Sequence, residues 1–365
     1  MSASLSKNTP RAHATSHVEI FNGIYNWFLY PCFFIWISDR CLRILRILLF
    51  NPRFWSTKAV TTYNHDSNMV RLTIPYSTSF IRPRPGTFYY ISSLNTLQIW
   101  ESHPFTLSYS TPSSASTLEL SLSLTTTHAS HGTMSPPHPF SDEQEQTTHF
   151  SSYNTSYESE TLLKSSPIAP PSTLTFLIRP YNGFTSRLRT SALHAPTTHR
   201  ILIDGPYGET QPFHLFTNIL FIVGGAGIAV PLSYLSSLLH SSSSSKTENL
   251  KILWALREEE FLNETLEVDF RGLVGDERLI VSAYVTGELQ GSGIAAGRKG
   301  VKVQRGRPNV TREVVDAAEE AGLGAALAVV ACGPGRMADD ARKAVVGLLG
   351  RGYGKVEYFE ESFNW

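Results

Sequence analysis

Cysteine is scarce in this sequence, and its scarcity excludes two classes of protein. Cys32, Cys41 and Cys332 are the 3 cysteines among 365 residues. No two sit close together and none has metal-ligand spacing, so neither a disulfide framework nor a structural zinc site can be built from them. They read instead as reduced thiols of a chain whose bulk lies in the cytosol. An excess of either charge is also missing: 31 Lys and Arg balance 31 Asp and Glu. That balance gives no support to nucleic-acid binding, which needs a basic face. No metal site is expected elsewhere, because His128, His131, His138 and His149 are irregularly spaced in a Ser/Thr/Pro-rich segment.

Charge is also missing from an apolar, aromatic-rich run near the amino terminus. Residues 1–17 are polar, rich in Ser and Thr, and expected to be disordered. Residues 20–37 then carry no charge. With its flanks this run gives roughly 20 residues, or about 30 Å of helix, the length of one membrane crossing. Asp39, Arg40, Arg43 and Arg46 follow directly, against only Lys7 and Arg11 upstream. The positive-inside bias then places the carboxyl-terminal bulk in the cytoplasm, with residues 18–50 as a transmembrane helix and its basic flank. Asn22 and Asn26 share a helix face, so either they bond to neighbouring helices of a bundle or they sit at headgroup level.

From residue 55 onward, short runs of β-branched and aromatic residues are cut by Pro and Gly, as at 70–74 and 84–91. This pattern predicts a small antiparallel barrel over 55–215. Residues 110–172 interrupt it with Ser, Thr, Pro and His and few core residues, and are expected to be a disordered insert. Strands resume at 174–179 and 200–203.

The second domain, 216–365, is organised around residues 218–231. A continuous apolar run at 219–223 predicts a strand buried on both faces. Gly224, Gly225 and Gly227 follow, and then a helix opens with Pro231 in its first turn. Strand, glycine turn and helix end together can hold a pyrophosphate, since glycines permit close backbone approach and the helix end presents free N–H groups. The dinucleotide fingerprint is incomplete, because Val230 stands where its third glycine belongs. Further strands at 250–256, 278–286 and 325–332 alternate with helices at 230–239, 314–321 and 337–349, which predicts a doubly wound parallel sheet. Ligands should bind at the carboxyl ends of its strands, where Gly224, Arg257 and Cys332 fall.

Five motifs stand in order: His103-Pro104-Phe105-Thr106, Gly205-Pro206-Tyr207-Gly208, Gly224-Gly225-Ala226-Gly227-Ile228, Gly306-Arg307-Pro308 and Cys332-Gly333-Pro334-Gly335. The set resembles the flavin and NADPH half of fungal ferric-chelate reductases, relatives of the NADPH oxidases within the ferredoxin-reductase-like superfamily. The terminal Glu360-Glu361-Ser362-Phe363-Asn364-Trp365 resembles that family too. The resemblance implies a β plus α/β chain: one transmembrane helix, an antiparallel FAD-binding β-barrel of ferredoxin-reductase type, then a doubly wound parallel α/β nucleotide-binding domain. It also implies FAD and NADPH as cofactors, with hydride passing from nicotinamide to flavin and single electrons going on to an acceptor such as a ferric chelate.

On that resemblance His103 sits near the flavin pyrophosphate with Pro104 beside it, Phe105 stacks on the flavin and Thr106 lies near N5. Arg179, Gly183 and Thr185 form a second flavin-phosphate segment, and Gly205, Tyr207 and Gly208 a further flavin contact. Gly224, Gly225, Gly227 and Ile228 hold the nucleotide, with Gly333 and Pro334 across from them. Cys332 sits by the nicotinamide, and Phe363 or Trp365 covers the flavin face. Arg257, at the end of the second strand, favours the 2′-phosphate of NADPH, although Glu258 to Glu260 blur that assignment. Haem is not expected, because no histidine lies within residues 20–37; a haem-bearing membrane protein is a candidate partner. A truncated, non-catalytic membrane fragment and an oxidase-like enzyme reducing oxygen stand as alternatives.

Overall fold

The computed structural model of the chain describes residues 12–50, 57–76, 82–94, 101–111, 172–240, 245–288 and 297–361. It divides into a unit of Met1–Ser110 with Leu174–Trp365, and a second unit, Thr111–Thr173. The second is described only at its ends, where the Thr111 and Thr173 hydroxyls share a hydrogen bond of 2.5 Å. The remainder of the expected insert lies outside the described residues.

The larger unit opens with helix α1 (Ala12–Phe50), which contains Pro31. Residues 12–17, expected to be disordered, are therefore helical. The expected membrane crossing also needs correction: among the described residues no helix is long and apolar enough to cross a membrane. Asn22, Tyr25, Asn26, Trp27, Tyr30 and Pro31 dilute the aliphatic residues of the run, and Trp and Tyr favour the membrane interface over its hydrocarbon core. Two arginines of the basic flank contact the barrel. Arg43 donates to Ser102 Oγ at 3.2 Å, and Arg46 lies 3.1 Å from Asp204 Oδ1 and 4.3 Å above the Tyr207 ring.

The first sheet has 7 strands: β1 (Lys58–Asn64), β2 (Met69–Pro75), β3 (Phe88–Ser93), β4 (His103–Thr106), β5 (Tyr109–Thr111), β6 (Thr173–Ile178) and β7 (Thr197–Tyr207). Their order is β4-β3-β7-β1-β2-β6-β5. Pairing of β1 with β2 and β7, and of β3 with β4 and β7, is antiparallel. Consecutive residues bond to opposite ends of this order: Leu107 N–H to Thr87 O at 3.0 Å, Ser108 N–H to Thr175 O at 2.9 Å. The sheet therefore curls until its edges meet, as the sequence pattern predicts. Leu72, Ile74, Tyr89, Ile91, Phe176 and Ile201 fill its interior. Helix α2 (Phe184–Ser191), which the pattern does not predict, seals it with Phe184 and Leu188.

The second sheet is parallel, in the order β11-β10-β9-β8-β12-β13. Its strands are β8 (Asn218–Gly224), β9 (Asn249–Leu256), β10 (Leu279–Val285), β11 (Val301–Arg305), β12 (Leu327–Cys332) and β13 (Val356–Glu360). Successive residues of β8 face opposite layers: Ile219, Phe221 and Val223 join one core, Leu220 and Ile222 the other. Helices α3 (Ala229–His240) and α4 (Glu259–Val268) cover the first face. Helices α5 (Val310–Ala321) and α6 (Gly335–Leu349) cover the second. This is the expected doubly wound domain, with α4, β11 and β13 added. Helix α5 begins four residues before the pattern predicts, where the Asn309 side chain accepts from Arg312 N–H and caps it.

Candidate functional site

The chain winds outward from β8 through β9, β10 and β11, then returns to place β12 on the other side of β8. The strand order reverses there, and the ends of β8 and β12 form the crevice where such sheets bind ligands. A Cβ on Gly224 would lie 2.8 Å from Pro334 Cδ, and one on Gly227 would lie 2.5 Å from the Cys332 carbonyl oxygen. These two glycines let the turns after β8 and β12 touch. Gly225 differs: its φ is +53°, and Arg179 Nη1 lies 3.6 Å from the place of its missing Cβ. The Gly225 carbonyl is fixed by Trp254 Nε1–H at 3.0 Å. Val230, replacing the third fingerprint glycine, is buried in the core, so α3 packs there by a side chain instead of by close backbone approach.

Two clefts meet at this crevice. One, of about 470 Å³, runs from Pro104, Phe105 and Thr106 on the barrel to Gly227, Cys332 and Gly333. The other, of about 540 Å³, lies over the parallel sheet and is lined by Gly225, Arg257, Arg307, Arg336, Met337 and Asp340, among others. Arg179, Gly224, Ala226 and Pro334 line both.

The structure thus gathers Pro104, Phe105, Thr106, Arg179, Gly224, Gly225, Gly227, Arg257, Cys332, Gly333 and Pro334 around one joint. The Thr106 hydroxyl is buried with no hydrogen-bond partner. Burial, and secondarily the Glu361 carboxyl, push the Cys332 thiol far above its ordinary range, so it stays protonated. His103 is set back from the cleft, stacked on Phe184 with ring centroids 5.1 Å apart and Nε2 buried without a partner. Ile228 is a core residue.

Other expected residues stand apart from both clefts. Thr185 Oγ1 accepts from Tyr181 N–H at 2.8 Å, and Gly183 begins α2, so both shape the turn after β6. Tyr207 faces the end of α1, with Arg46 over its ring and its hydroxyl donating to Asp204 Oδ2 at 2.8 Å, whereas Gly205 and Gly208 lie against Phe88 and its neighbours at β3. Phe363 and Trp365 lie outside the described residues.

Arg336 is absent from the sequence reading, and Arg307 enters it only within a motif. Both follow glycine turns near the carboxyl ends of parallel strands, and that position is the signal that could have found them. Among the described residues no cluster of His, Cys, Asp and Glu could hold a metal ion.

The cofactors implied by the resemblance fit these residues. A flat flavin matches an aromatic wall at Phe105 beside an unsatisfied hydroxyl at Thr106. A phosphorylated ribose matches a cleft carrying Arg257, Arg307 and Arg336.

Barrel, parallel domain and shared crevice together define a reductase fold of the ferredoxin-reductase type. Comparison with known families narrows this: residues 54–157 match an FAD-binding domain, and residues 216–346 match the ferric reductase NAD binding domain. The chain thus carries an FAD-binding domain followed by a ferric reductase NAD binding domain. It is 25% identical to ferric/cupric reductase transmembrane component 2 of Saccharomyces cerevisiae and 27% identical to ferric reductase transmembrane component 6 of the same yeast. Each alignment covers 96% of this chain but only 44% and 43% of the relatives, so the chain spans less than half their length. Among solved structures, a ferredoxin NADP+ reductase from Neisseria gonorrhoeae is 12% identical with a TM-score of 0.48, covering 83% of this chain and 98% of its own.

Proposed function

We propose that the protein is an NADPH-dependent flavin oxidoreductase of ferric-reductase type, passing hydride from NADPH to FAD and single electrons on to ferric iron. The observation that carries this reading is the junction of the two clefts at Gly224, Ala226, Arg179 and Pro334. A nucleotide in one and a flavin in the other would meet there. When bound, FAD supplies the conversion of a two-electron hydride into single electrons.

The residues supply orientation. Phe105 offers a stacking face, and Thr106 holds a hydroxyl toward the position where a flavin nitrogen gains a proton. Gly227 lets the cleft floor close against Cys332, whose protonated thiol presents no charge to a nicotinamide. Arg257, Arg307 and Arg336 favour NADPH over NADH, because a 2′-phosphate offers them a dianion.

Membrane association is supported by the names of the yeast relatives, which are transmembrane components. It is also supported by the exposure of Trp27, Phe28, Phe33, Phe34, Ile35 and Trp36 on α1. We place the catalytic domains on the cytoplasmic side of the plasma membrane, delivering electrons to a ferric chelate directly or through a haem-bearing membrane protein.

The test is the visible spectrum of the purified full chain. Bound flavin that bleaches on addition of NADPH, with reduction of a ferric chelate in turn, is the expected result. Failure to bind flavin overturns the reading. Bleached flavin that reoxidises with oxygen but not with ferric chelate replaces the acceptor.

A further inference from the structure

We infer that Glu258 is a positioning residue for the anion site at the cleft junction. It holds Arg179 as a stand-in counter-anion and yields that guanidinium to the diphosphate of an incoming dinucleotide. This rests on the function proposed above.

Of the residues lining both clefts, Arg179 alone is charged. Its Nη1 lies 3.6 Å from the position a Cβ on Gly225 would take, so the guanidinium faces the open side of the glycine turn. A diphosphate seated on that turn would therefore meet Arg179. Its Nη2, however, is bound to Glu258 Oε1. Glu258 stands just before α4 without capping it, and its second carboxylate oxygen is buried with no partner. A carboxylate satisfied at one oxygen only is a poor permanent partner, since the other oxygen has lost water without gaining a donor.

A second ion pair between the same two domains shows what a permanent joint looks like. Arg71 binds both oxygens of Asp269, whose side chain is 0% exposed. Arg179 and Glu258 remain 30% and 21% exposed, within reach of a ligand. Two anions then compete for one guanidinium. The carboxylate returns when the diphosphate leaves, so Arg179 does not stand as an unpaired cation in the cleft.

The diphosphate could belong to FAD or to the nicotinamide dinucleotide, and affinity measurements on the full chain separate them. FAD is titrated into flavin-stripped protein by fluorescence quenching, and NADP+ into flavin-loaded protein by calorimetry, for wild type, Glu258→Gln, Arg179→Ala and the double variant. Glu258→Gln should tighten one of the two ligands about fivefold, the scale of a partly exposed ion pair. The ligand that responds is the one whose diphosphate Arg179 receives. In the Arg179→Ala background the same substitution should have no effect. Unchanged affinity for both ligands, or equal tightening in both backgrounds, overturns the inference. A wild-type chain that binds neither ligand overturns the proposed function first, and this inference with it.

Discussion

At the scale of single residues, the cleft is defined by what its side chains lack. Thr106 has a buried hydroxyl without a partner, at the wall where the flavin is proposed to lie. Thr106→Val keeps the volume and removes only that hydroxyl, so FAD should still bind. If the hydroxyl bonds more strongly in the transition state, stopped-flow bleaching of flavin by NADPH should slow on the order of 10- to 100-fold. An unchanged rate would place Thr106 away from the reacting atoms. Cys332 gives a simpler check. Its thiol is fully buried and its pKa is raised, so it is protonated at pH 8 and carries almost no reactive thiolate. Iodoacetamide at that pH should leave Cys332 unmodified in the native protein and label it after unfolding, as read by mass spectrometry of its peptide. For nucleotide choice, Arg257→Ala should raise the NADPH Michaelis constant roughly 10-fold, the value of one charge-assisted contact, and leave NADH nearly unchanged. Equal effects on both would remove Arg257 as the phosphate reader.

At the scale of elements, turns and helix ends decide where the site forms. Gly227 tolerates no Cβ because the Cys332 carbonyl stands in its place. Gly227→Ala should therefore push the turns after β8 and β12 apart and destabilise the parallel domain by about 1–3 kcal/mol in a denaturant titration, the cost of overpacking. Much of this level is legible in the sequence. The apolar run of β8 and its glycines mark the crevice without any structure, because a strand buried on both faces has no polar positions. The elements that escaped have physical reasons. Helix α4 opens with Glu259 and Glu260, whose charges hide a core stripe of Phe261, Leu262 and Leu266. Strand β11 is short, with exposed and half-buried residues at the sheet edge. Tyr207 was legible as part of a motif but not as a neighbour of Arg46, since nothing local encodes a contact across so many residues.

At the scale of the whole larger unit, the barrel and the parallel domain are held together by a buried polar joint centred on Arg71 and Asp269, which belong to none of the motifs. Arg71 of β2 donates to Asp269 Oδ2 at 2.9 Å and to the Tyr109 hydroxyl at 3.3 Å, and Glu264 Oε1 lies 3.5 Å from it. Asn64 donates to Glu264 Oε2 at 3.0 Å, and Met69 of the barrel packs into the parallel domain's core. Burial alone would lower the basicity of Arg71, but the bonds and charge of Asp269 outweigh it and hold the cation firmly. Removing one partner leaves the other charge buried and unpaired, so Arg71→Ala should cost about 3 kcal/mol. Replacing both, as Arg71→Leu with Asp269→Leu, exchanges the pair for apolar packing and should cost much less. Chemical unfolding of the three proteins measures this. If the joint also sets the distance between the clefts, Arg71→Ala should slow flavin bleaching by NADPH while NADP+ affinity stays close to wild type, because Arg71 lines neither cleft. A double variant as unstable as the single one would show that the ion pair itself, and not its orphaned carboxylate, carries the joint.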